Sequence, residues 1–120
     1  MDEKLAKAID NANFRLNLLN LKENIVLKTE TLCTYAINGG VFKVNRELIC
    51  FTKIILDSGY TQVVLIDENN NPIAITNIPD FYQAILDRYF QATNYYHTEY
   101  TKLKKMRSSQ DIIADLKADA

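Results

Sequence analysis

The sequence predicts an α+β fold, mostly helical, in which two long antiparallel helices carry a short helix and a small antiparallel β-sheet at one end. Three observations lead there. Only three Gly and two Pro interrupt 120 residues, which favours long helices. Apolar residues recur at alternating steps of four and three over residues 3–38 and again over 79–107, as on one helix face. Between these stretches, β-branched runs flank an Asn-rich connection, the pattern of a hairpin.

In the first helix, Leu5, Ile9, Ala12, Leu16, Leu19 and Val26 form a heptad-like stripe that continues to Cys33 and Ile37, with Glu23 and Glu30 as gaps. Phe14, Leu18, Leu21, Ile25, Leu32 and Tyr35 form a second stripe on roughly the opposite side. A helix apolar on two sides needs two partners. Asn38-Gly39-Gly40 reads as its C-terminal cap, because Asn and Gly accept the left-handed conformation that caps use.

Residues 41–44 alternate like a strand, and Asn45 is placed to cap a helix over 46–58 that Gly59 stops. Residues 61–67 and 72–76 pair as a hairpin, giving with 41–44 a three-stranded element. Asp67, Asn69 and Asn71 have the alternate spacing of a calcium loop, but the sixth position is Pro72 instead of Gly and the twelfth is Ile78 instead of a bidentate carboxylate. The stretch therefore reads as a turn. Asn77 then caps the second long helix, with Pro79 in its first turn and Ile78, Tyr82, Ile85, Tyr89, Ala92 and Tyr96 on its inner stripe. Antiparallel pairing of the long helices is expected to bury Leu16, Leu19, Ile85 and Tyr89 together. Ser108 with Asp111 resembles a capping box ahead of a short helix, so the chain divides into a domain over 1–107 with its hairpin at 61–76, and a C-terminal segment over 108–120.

Functional signals are sparse. A formal charge of -1 gives no general pull toward nucleic acid or anionic membrane. Cys33 and Cys50 form neither a disulfide framework nor a metal-ligand spacing and read as buried thiols in a reducing compartment. No secretory signal and no apolar run of membrane-spanning length is visible, so a cytoplasmic location away from membranes is expected. His97, the sole histidine, lacks a second and third group at helical spacing to orient it for catalysis or metal binding. There is no phosphate-cradling Gly loop, nucleophile elbow or Cys/His metal signature, so neither catalysis nor a cofactor is expected.

Two binding surfaces remain. The second stripe of the first helix exceeds what one intrachain partner covers, so Phe14, Leu18, Leu21 and Ile25 are expected at the contact of a homo-oligomer. Alternatively Tyr96 and Tyr100 stack bases while Lys102, Lys104, Lys105 and Arg107 meet phosphates, although cations in the last turns of a helix also answer its dipole. Ile112, Ile113 and Leu116 lie on one face of a segment too short to be a stable helix alone, so it either packs back on its own chain or orders itself on a partner, and the polar stretch before it, "KKMRSS", tips the expectation toward docking on another protein.

The layout over residues 3–107, long helix, β-tongue, long helix, resembles the prefoldin-type chaperone subunits, from which it departs by inserting a helix at 46–58. "NGGVFKV" before a helix and "DENNNPIAI" leading into a tyrosine-rich helix look like small proteins of contractile-tailed phages, especially those of marine cyanobacteria. That second resemblance implies an assembly or accessory role in an infected host's cytoplasm or the virion, and it carries no site residues.

Overall fold

A computed structural model describes residues 2–106. The order of elements is α1 (Glu3–Leu32), β1 (Thr34–Ile37), β2 (Gly40–Lys43), α2 (Arg46–Asp57), β3 (Val63–Ile66), β4 (Pro72–Ile75) and α3 (Ile78–Lys105). The fold is α+β and mostly helical, with two long helices and two small antiparallel sheets. The chain forms two compact units, one over Thr29–Tyr95 and one that joins residues 2–28 to 96–106.

In the unit Thr29–Tyr95, two hairpins and α2 gather around the first turns of α3. The first hairpin corrects the sequence reading. Residues 34–37 are strand β1, not the end of a helix, and pair with β2 in register Ile37↔Gly40 to Thr34↔Lys43. Asn38 and Gly39 are the two turn residues, at φ 52° and 81°. A two-residue turn with both φ positive matches the twist of paired strands, and Asn-Gly meets its demand at least steric cost. Thr29, Thr31 and Thr34, β-branched and poor in helices, cluster where α1 gives way to strand. The single three-stranded element is likewise replaced by two separate two-stranded sheets, because residues 41–44 pair backward onto β1 and not onto the later hairpin.

The second hairpin forms where the sequence placed it, in register Val63↔Ile75 to Ile66↔Pro72. Its pleat is two-sided: Leu65, Ile73 and Ile75 are buried, whereas Val64 and Ile66 face out. The hairpins are joined reciprocally. The Glu68 amide donates to the Val41 carbonyl at 2.9 Å, and the Val41 amide donates to Asp67 Oδ2 at 3.0 Å.

α2 begins and ends as its sequence requires. Asn45 Oδ1 accepts from the Leu48 amide at 2.8 Å, satisfying one orphan donor of the first turn. At the other end Gly59, at φ 87°, donates to the Leu56 carbonyl while Tyr60 donates to that of Ile55, the paired bonds of a Schellman motif. α3 opens on Asn77, whose Oδ1 accepts from the Asp80 amide and whose Nδ2 donates to Asp80 Oδ2. Its inner face, Ile78, Phe81 and Ile85, closes the core against Phe42, Val44, Ile73 and Ile75. Phe81 meets Phe42 edge-on at 5.3 Å and Tyr35 at 6.0 Å between ring centroids. Each such side chain contributes about 1.5–3 kcal/mol through its removal from water.

The expected joint burial of Leu16, Leu19, Ile85 and Tyr89 does not occur. Ile85 is fully buried in the core of its own unit with Tyr89 packed beside it, whereas Leu16 and Leu19 are 58% and 60% exposed. α1 contains no buried residue at all. A two-sided apolar pattern fixes the period of a helix but not which side turns inward.

Candidate functional site

Both units leave large apolar side chains uncovered: Phe51, Ile54, Tyr60, Val64, Ile66 and Phe90 in the unit Thr29–Tyr95, and five residues of α1 in the unit of residues 2–28 and 96–106. The open large apolar side chains of α1 are Leu27, 60% exposed and off the line described next, and Leu5, Ile9, Leu16 and Leu19, 45–60% exposed. With Ala12, also exposed, these last four step four, three, four and three along the helix. That spacing puts them on a single line, the seam by which helices pair as coiled coils. Toward its C-terminal end the seam opens into a shallow apolar depression of about 370 Å³ that includes Leu19 and Val26, flanked by Lys22 and Glu23. Phe14, Leu18, Leu21 and Ile25, expected at a subunit contact, are half-buried within the chain.

A larger groove, about 560 Å³, runs beside the last turns of α3. Its apolar lining is Leu18 and Leu19 from α1 with Leu103 and Met106, and Tyr100 forms part of the wall. Arg15, Lys22 and Lys104 stand around it. Leu103 and Met106 are three residues apart and so share a face, and the Met106 amide donates to the Leu103 carbonyl at 3.2 Å in a closing tight turn.

The aromatic and basic residues considered for bases and phosphates are partly engaged with one another. The Tyr96 and Tyr100 rings, both half-buried, stack at 6.0 Å between centroids. Lys104 Nζ lies 5.1 Å from the Tyr100 ring centroid, and Lys102 Nζ is 3.2 Å from Glu99 Oε1. Lys105 is exposed. Arg107, like Ile112, Ile113 and Leu116, lies outside the described residues.

His97 is exposed, and its backbone carbonyl accepts from Thr101 Oγ1 at 2.7 Å. The expected burial of both thiols is not found: Cys50, on the outer side of α2, is exposed, whereas Cys33 is half-buried against the core. Burial pushes the Cys33 thiol up, and the neighbouring Glu30 carboxylate adds to this, which makes its thiolate scarcer. Among the described residues, no three His, Cys, Asp or Glu side chains gather as metal ligands would.

Among the described residues Asp67 is the one buried carboxylate, and sequence reasoning placed it in the right turn without its longest-range partner. Oδ1 accepts from the Asn69 and Asn71 amides at 3.0 and 2.8 Å, and Oδ2 from Val41 on the other hairpin. These amides hold its carboxyl below the usual carboxylate range, the Val41 bond most, then Asn71, with Asn69 adding to them and partial burial opposing. The carboxylate organises backbone. It borders an open cleft of about 300 Å³ in which Leu48, Phe51 and Ile66 supply apolar surface and Glu47 and Glu68 add charge.

No protein-family model, curated protein or solved structure matches this chain. Leu5, Ile9, Leu16 and Leu19, in line on α1, and the groove beside α3 are the features on which the functional reading rests. Among the described residues no helix is long and apolar enough to cross a membrane.

Proposed function

We propose that this is a non-enzymatic, self-associating interaction protein whose α1 seam is completed by the seam of a second copy. The observation that carries the reading is the line Leu5, Ile9, Ala12, Leu16, Leu19, at coiled-coil spacing and open. Heptad spacing favours a helix of the same period as occupant, and a second copy supplies one. Phe14, Leu18, Leu21 and Ile25, half-buried in the single chain, serve it by holding α1 from behind. The resemblance to small phage proteins leads to the same class, an assembly or accessory role.

Light scattering over ~1–100 µM tests it. A mass that rises with concentration supports association, and a monomer at ~100 µM overturns it. A nucleic-acid role remains the second reading, favoured by Lys104, Lys105 and the tyrosines in the last turns of α3. Its test is binding of single- and double-stranded DNA against salt, since phosphate contacts weaken steeply as counterions are added.

A further inference from the structure

We infer that the groove beside the end of α3 is the docking site of the chain's own C-terminal segment, residues 111–119, bound in cis. The groove has an apolar lining, Leu18, Leu19, Leu103 and Met106, among three cations, Arg15, Lys22 and Lys104. The segment "DIIADLKAD" carries the complement. Read as a helix, Ile112, Ile113 and Leu116 fall on one side, and Asp111, Asp115 and Asp119, four residues apart in turn, form an acidic stripe along the edge of that side. Apolar surface therefore meets apolar surface, with three carboxylates beside a groove that has three cations.

Reach and length agree as well. Met106, which lines the groove, is only a few residues before the segment, and residues 107–110 extend at most ~14 Å, enough to reverse direction. Arg15 to Lys22 is two turns of α1, ~10 Å, and residues 111–119 as a helix are ~12–14 Å long. A short tether sets an effective concentration in the millimolar range, so the segment of another molecule at micromolar concentration competes poorly. This is what favours the chain's own segment over a partner's, and over the docking on a foreign protein that the sequence suggested. A helix too short to persist alone gains from the groove the contacts that order it. The inference is independent of the seam, which keeps Leu5, Ile9, Ala12 and Leu16 open while Leu19 borders both surfaces.

The test is methyl NMR of the full chain with labelled Ile, Leu and Met, repeated on an equimolar mixture of labelled and unlabelled protein with isotope-filtered detection. Cis docking gives cross-peaks from the Ile112, Ile113 and Leu116 methyls to those of Leu18, Leu103 or Met106, and none of them in the filtered spectrum of the mixture. Filtered cross-peaks between molecules would show exchange with a second copy and overturn the cis assignment. Absence of cross-peaks in both samples would overturn docking altogether and return the segment to a foreign partner. A charge cycle gives a second reading. Asp111→Lys with Asp115→Lys should weaken the docked cross-peaks several-fold, and adding Arg15→Glu with Lys22→Glu should restore them, whereas an effect of one pair unchanged by the other would show that the groove's cations do not face the segment.

Discussion

Gly40→Ala probes how closely the two hairpins are packed. Gly40 starts β2, and a Cβ added there would lie 2.5 Å from Ile73 Cγ1, 2.7 Å from Cδ1 and 3.3 Å from Cγ2. Carbon atoms prefer to sit ~3.5–4.0 Å apart, so the isoleucine must retreat by about an ångström. Because its γ carbons and Cδ1 all crowd the position, a change of rotamer alone does not clear it. Ile73 is buried in the core with Phe42, Leu65 and Ile75, and overpacking of such a site costs ~1–3 kcal/mol. For a chain of this size, at ~4 °C per kcal/mol, the melting temperature should fall by ~4–12 °C. Calorimetry or circular dichroism reads the drop, and a double-mutant cycle assigns it. Ile73→Ala alone should cost ~2–5 kcal/mol for the cavity, but with the γ carbons gone, adding Gly40→Ala should then cost little or nothing, a coupling of ~1–3 kcal/mol. Gly39→Ala is the contrasting control. Nothing lies near its Cβ, but at φ 81° an alanine is strained by ~1–2 kcal/mol, whatever stands at position 73. If Gly40→Ala costs the same in both backgrounds, the close approach of the hairpins is not the cause and the packing described for them is wrong.

Asp67→Asn should destabilise by setting an amide donor against one of the three backbone donors that the carboxylate now accepts, and circular dichroism melts at neutral pH would show it. The same carboxyl is held below its ordinary pKa of ~3.9, so its contribution is complete above that value and is lost as pH falls through the lower folded-state pKa. The melting temperature of the native chain should therefore drop more steeply below pH ~4 than that of Asp67→Asn, and parallel curves would dispose of the linkage. Phe81→Ala, which removes a buried ring touching Tyr35 and Phe42, should cost ~3–5 kcal/mol in urea unfolding, and a loss below ~1 kcal/mol would place the core elsewhere. Asn45→Ala should cost ~1 kcal/mol through the lost Leu48 cap, and Asn45→Ser, which restores an acceptor, should recover most of it.

Much of the fold was legible because its boundaries carry chemistry. Asn45, Gly59 and Asn77 mark helix ends in the sequence and do so in the structure, and the β3–β4 hairpin follows from β-branched runs around a turn. The β1–β2 hairpin was missed because Asn-Gly has two meanings. The pair supplies positive φ, which a helix C-cap and a two-residue hairpin turn both require, and the helical stripe continued through Cys33 to Ile37 without a breaker. A sharper signal was present. A strand at 41–44 needs a partner for its backbone groups, and Thr34-Tyr35-Ala36-Ile37, adjacent and rich in β formers, was the nearest one available. On α1 the period was right but the sides were not separable: both stripes are apolar, and only tertiary packing made the Phe14 stripe the more covered and the Leu16 stripe the more open. The Asp67 to Val41 bond, 26 residues apart, has no local trace in sequence.

Sedimentation equilibrium on Leu16→Gln with Leu19→Gln, run beside the native chain and paired with thermal melts at low concentration, tests the seam most directly. Both leucines are more than half exposed, and although Leu19 also borders the groove inferred to take residues 111–119, neither belongs to the buried core of the single chain. In a dimer their remaining area is buried on both copies, about 1 kcal/mol for each of four side chains, or ~4 kcal/mol. At 1.4 kcal/mol per tenfold, the dissociation constant should rise by roughly 10²–10³ with the low-concentration melting temperature nearly unchanged. Equal association by both chains, or a variant that melts far earlier as a monomer, would show that Leu16 and Leu19 are not where two copies meet.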